Sequence, residues 1–80
     1  MPRYFFSCDG AQVFTDQDGT ELPDLHAARV QAVQNAGEIL KDHAESFSDY
    51  PRWRMAVSDE TGRVLFRLNF SIEQEPAASA

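Results

Sequence analysis

The sequence holds one cysteine, Cys8, so no intrachain disulfide can staple the fold, and a reducing compartment is expected. It has no apolar run approaching the roughly 20 residues that cross a bilayer. The opening Met1-Pro2-Arg3 leads only into a short aromatic run, without the apolar stretch of a secretory leader. A cytoplasmic location with no membrane partner follows as the expectation. Cations are scarce as well: seven Lys and Arg stand against thirteen Asp and Glu, a formal charge of −6. That balance argues against duplex nucleic acid as a general ligand, because neutralising phosphates needs a basic surface.

The chemistry-bearing motifs are also missing. There is no Gly-rich phosphate loop, no Walker lysine and no paired-carboxylate arrangement. His26 and His43 are the two histidines; on one helix they lie roughly 25 Å apart, too far to share a metal ion. The run Asp16-x-Asp18-Gly19-x-Glu21 lacks the spacing of a calcium loop and reads as a turn leading into a helix. Cys8 has no base at a readable distance to make it a nucleophile, and reads as a small semi-buried hydrophobe. Neither an enzyme nor a cofactor is expected.

What is present suits one small domain, expected over residues 1–72, with 73–80 as a polar tail that frays. Chains this short bury only about 60% of their unfolded surface, so dimerisation is a common remedy. Nine aromatics in 80 residues still make a compact core feasible. Arg3–Cys8 is aromatic-rich and ends at Asp9-Gly10, the signature of a two-residue hairpin turn pairing Phe6 with Val13 and Phe5 with Phe14. The return strand runs to about Thr15, and Asp16–Gly19 makes a second turn. Asp24 is an N-cap for a helix from Leu25 to about Glu45. Leu25, Ala28, Ala32, Ala36, Ile39, Leu40, His43 and Phe47 form its buried stripe. The small alanines allow close approach to a sheet. Ser46–Pro51 then breaks the helix.

Arg52–Ser58 and Arg63–Ile72 alternate apolar and polar residues with the period of two of half-buried antiparallel strands. Val64, Phe66, Leu68, Phe70 and Ile72 point inward in this pattern. Asp59–Gly62 turns between the two strands. The expected fold is α+β: a four-stranded antiparallel sheet of two hairpins with one helix on one face, in the order β-β-α-β-β. The first strand, apolar on both faces, suits an interior position.

Met1-Pro2-Arg3-Tyr4-Phe5-Phe6, Asp9-Gly10, Asp18 through Leu25, Ala27-Ala28-Arg29 and Asp59 through Val64 occur in that order. On these residues the chain resembles a family of short proteins of soil and plant-associated proteobacteria, catalogued as a domain of unknown function. The resemblance extends to about Phe70. It implies a domain boundary and no mechanism.

Two polar residues fall on or beside the helix stripe. His43 reads as a core or boundary histidine hydrogen-bonded to a strand. Arg29 reads as paired with Asp16, Asp18 or Glu21, or as a ligand-binding guanidinium. The outer face of the sheet is less ordinary. With Tyr4, Phe6, Trp53, Met55, Phe66 and Leu68 facing the helix, alternation puts Arg3, Phe5, Phe14, Arg52, Arg54, Leu65 and Arg67 on the opposite side. Arginine beside aromatic rings serves as a solvated face with cation–π packing, a self-association or partner surface, or a stacking platform for single-stranded nucleic acid. The favoured reading is a non-catalytic interaction module, self-associating through this face or an edge strand. The alternatives are a single-stranded nucleic-acid binder and a small-molecule binder around Arg29 and His43.

Overall fold

A computed structural model describes residues 1–76. It contains strands β1 (Arg3–Gly10) and β2 (Thr20–Glu21), helices α1 (Leu25–Asp42) and α2 (Ala44–Asp49), then strands β3 (Arg52–Ser58) and β4 (Val64–Ser71). The sheet is antiparallel in the order β2-β1-β3-β4. The chain is therefore α+β, with two helices where the sequence pattern suggested one. Glu73–Pro76 lies outside helix and strand, and the rest of the tail, expected to fray, falls outside the described residues.

β1 is an interior strand because both of its faces are useful. Tyr4, Phe6 and Cys8 are buried on one side, and its partners run from Phe5 opposite Ser58 to Gly10 opposite Trp53. Asp9-Gly10 is not the expected two-residue turn, and the pairs Phe6–Val13 and Phe5–Phe14 do not form. Instead Cys8 and Phe14 exchange both backbone hydrogen bonds, 2.8 and 3.1 Å, around a loop of residues 9–13. The glycine serves the other neighbour. Gly10 has φ +99°, and a Cβ there would lie 2.3 Å from the Arg52 carbonyl oxygen. Only glycine lets β1 continue that close to β3.

Beyond the Phe14 bridge, the Asp16 carboxylate takes the place of a strand along β1. Its Oδ2 accepts from the Phe6 N–H at 3.0 Å, while Oδ1 accepts from Asp18 and Gly19. The pairing resumes only at β2, with Tyr4 opposite Thr20 and Arg3 opposite Glu21.

α1 begins as its cap dictates: Asp24 Oδ1 accepts from the Ala27 N–H at 2.9 Å. Ala28 and Ala32 are fully buried and Ala36 nearly so, which lets the helix lie closely on β3. The helix stops at His43, which has non-helical φ and ψ and donates its N–H to the Ile39 carbonyl. After this one-residue break, α2 seats Phe47 edge-on against Trp53 (5.6 Å) and Phe70 (5.3 Å). Trp53, Met55 and Val57 form the centre of the core.

β3 and β4 are joined by a turn organised on Asp59. Its Oδ1 accepts from the Thr61 and Arg63 N–H groups and from the Thr61 hydroxyl, with Gly62 at φ +87°. The turn leaves a bulge: Val57 opposes Phe66 while Ser58 opposes Val64. Leu65 is the extra residue, and the alternation expected from the sequence slips at this point. Val64 is thus 39% exposed, in register with the outward-facing Ser58, whereas Leu65 packs against the core.

Candidate interaction surface

The sheet offers an outer face, an apolar groove beside α1 and two edges. On the outer face stand Arg3, Phe5, Arg52, Arg54 and Arg67, as alternation requires. Two of the arginines are engaged. Arg3 donates to the Asp18 carbonyl at 2.9 Å and lies 3.7 Å from Glu21. Arg54 forks onto Asp9 across the strands, at 3.3 and 3.1 Å, and this contact raises the guanidinium pKa further. Among the described residues Arg52 and Arg67 have no ion-pair partner.

The aromatic half of the expected face assembles only in part. Phe5 is half-buried, with Gly19 so close that a Cβ there would lie 2.9 Å from its ring. Phe14 stands at the β1 edge opposite Cys8, where its exposed ring borders both the helix side, with Ile39 and His43, and the outer face, with Arg54 and Arg67. Leu65 is carried to the helix side by the bulge. Tyr50, which the sequence placed in a linker, is an exposed ring beside these arginines, in a crevice with Arg52, Arg54, Asn69 and Ser71.

Arg29 and His43 do not form a site. Both are exposed, and fourteen residues of helix separate them by roughly 21 Å. Arg29 does not pair with Asp16, Asp18 or Glu21: the Asp16 carboxylate is tied into its loop, and Glu21 faces Arg3. His43 is a helix-end residue, not a buried one bonded to a strand. Among the described residues no cluster of His, Cys, Asp and Glu could hold a metal ion. No described helix is long and apolar enough to cross a membrane. Cys8 is buried, and burial, then the neighbouring Asp9 charge, pushes its thiol up to about 11. That value suppresses the thiolate at neutral pH.

The groove and the edge beside it are the features that alternation alone concealed. A four-stranded sheet is roughly 19 Å across, wider than one helix. α1 lies on β3, so the helix-side surface of β4 is only partly covered. Leu25, Arg29 and Val33 of α1 face Leu65, Phe66 and Leu68 of β4 across this gap. Val33 is 63% and Leu25 44% exposed.

β4 is also the end of the sheet. Ile72 donates to the Pro51 carbonyl at 3.0 Å, which fixes the ladder's parity: Phe66, Leu68 and Phe70 bond inward to β3. The N–H and C=O groups of Arg67, Asn69 and Ser71 consequently point outward, where no described strand meets them. The opposite edge differs. β2 is two residues long, and the Asp16 side chain occupies the strand edge next to it.

These features define a small α+β domain with one blunted and one open sheet edge. The family described as a domain of unknown function (DUF6894) matches residues 3–71, and the chain belongs to it. No curated protein and no solved structure matches the chain.

Proposed function

We propose that the chain is a non-catalytic interaction module whose binding element is the open edge of β4 with the apolar groove beside it. One observation carries this reading. The outward backbone groups of Arg67, Asn69 and Ser71 lie next to the half-exposed Leu65, Phe66 and Leu68. Natural sheets blunt a long edge with proline, lysine or an inward-pointing charge. Val64–Ser71 carries no proline and no lysine, its one charge, Arg67, points to the outer face, and its bulge at Leu65 lies at the turn end, so the run from Phe66 to Ser71 stays open. Recognition by strand addition needs a row of free backbone groups and adjoining pockets for alternate side chains, and β4 provides both.

The outer face supports this role less well than the edge. Its aromatic residues are covered or displaced, and Arg54 is held by Asp9. A stacking platform for single-stranded nucleic acid needs a row of exposed rings beside free cations, and this face offers them singly, Tyr50 beside Arg52 and Phe14 beside Arg67.

Amide hydrogen exchange in dilute solution tests the edge directly. Phe66, Leu68 and Phe70 should be protected while Arg67, Asn69 and Ser71 exchange quickly. Uniform protection along β4 would mean that the edge is already covered within one molecule, and would overturn the reading.

A further inference from the structure

Building on the open-edge reading, we propose that the occupant of the edge is a second copy of this chain. The two β4 strands pair antiparallel about a twofold axis at Leu68.

The register follows from parity and charge. Outward-bonding residues must meet outward-bonding residues, so the odd positions of one strand pair with the odd positions of the other. Centring on Leu68 sets Arg67 opposite Asn69 of the second copy, with both backbone hydrogen bonds exchanged. Leu68 then meets Leu68, and Phe66 meets Phe70, apolar against apolar on the helix side. A shift of the axis by one residue towards the turn would oppose Arg67 to itself, and like charges directly opposite are destabilising. A shift the other way sets Asn69 against itself and shortens the run of β4 residues that meet one another from Leu65–Ser71 to Arg67–Ser71.

Two more observations select a copy of the chain and a closed pair. The blunted β2 edge cannot accept β4, so head-to-tail addition, which would give an open filament, is blocked, and the isologous pair closes. The helices also come to a fitting distance. With α1 on β3 in each copy, the two helix axes stand three strand spacings apart, about 14 Å. Packed helices sit about 8–10 Å apart. The difference is about one layer of side chains, and Leu25, Arg29 and Val33 of each copy project into it. Pairing thus merges two half-exposed grooves into one covered seam.

Sedimentation velocity from micromolar to millimolar concentration, combined with amide exchange, tests the proposal. Wild type should pass from monomer to dimer, with Arg67, Asn69 and Ser71 gaining protection as it does so. Asn69→Pro removes an outward N–H without touching the β3 ladder. It should weaken the dimer at least tenfold while leaving the far-ultraviolet circular dichroism unchanged. Asn69→Glu should tighten the dimer several-fold, because its carboxylate faces Arg67 of the second copy, and Asn69→Arg should weaken it. If Asn69→Glu weakens a dimer instead, Asn69 meets itself and the Leu68 register is overturned. A wild-type monomer at millimolar concentration with the three amides still exchanging fast would overturn the second copy but leave the open edge standing. Slow exchange of those amides in a monomer would overturn both.

Discussion

At the scale of single residues, two positions bear constraints that their residue types alone do not announce. Cys8 is the only cysteine, and its thiol is held near 11 against an ordinary 9.0 by burial and by Asp9. A raised folded-state value favours the neutral form, so this contribution to stability is complete below pH 9 and is lost as pH rises towards 11. Denaturant midpoints should therefore fall across that window. Cys8→Ala should lessen the fall. At neutral pH the native thiol should react with an alkylating reagent far more slowly than the unfolded one. Gly10 is constrained by backbone. A Cβ there would meet the Arg52 carbonyl and the Trp53 Cα, at a φ that L residues rarely adopt. Gly10→Ala should cost at least the roughly 1–3 kcal/mol of a strained backbone position, read as a lower urea midpoint with an unchanged slope.

Among the elements, what the sequence made legible was whatever periodicity controls. The alanine stripe, the Asp24 cap, the alternation of β3 and the interior place of β1 all follow from local pattern. The features it hid are those decided by which strand wins a partner. Asp9-Gly10 has the local chemistry of a tight turn, yet pairing with β3 draws those residues into the strand. A carboxylate at Asp16 then completes the edge that a return strand was expected to fill. The Leu65 bulge arises from the Asp59 turn and reverses the alternation for two residues, which no period-two reading contains. That reversal is measurable. Leu65→Ala should destabilise by about 1–2 kcal/mol, while Val64→Thr should stay within about 0.5 kcal/mol. A straight alternation would give the opposite order. The second helix is another such element. Phe47 is 3% exposed and bridges Trp53 and Phe70, so Phe47→Ala should cost about 3–5 kcal/mol. In a domain of this size that is a large share of the total stability, and circular dichroism should show a markedly lower melting temperature.

At the scale of the whole molecule, the question is how 80 residues with a sheet wider than their helix remain stable. In the proposed pair, a copy added along β4 would cover Val33, Leu25 and the half-exposed β4 side chains without any new element, so assembly would add to the stability of the monomer wherever the dimer is populated. For a folded dimer that unfolds to two chains, each tenfold rise in concentration adds about 1.4 kcal/mol per dimer to the native side. For a chain of this length that shifts the melting temperature by several degrees. Scanning calorimetry over two decades of concentration should therefore show the wild-type transition moving upward. Asn69→Pro, its edge closed to a partner, should melt at one temperature throughout. Phe5→Glu, on the outer face away from the seam, should keep the wild-type concentration dependence even if its melting temperature drops. An outer-face interface predicts the reverse: Phe5→Glu would flatten the concentration dependence and Asn69→Pro would leave it intact. The paired comparison thus assigns the contact to one surface, because the two substitutions sit on different parts of the same sheet.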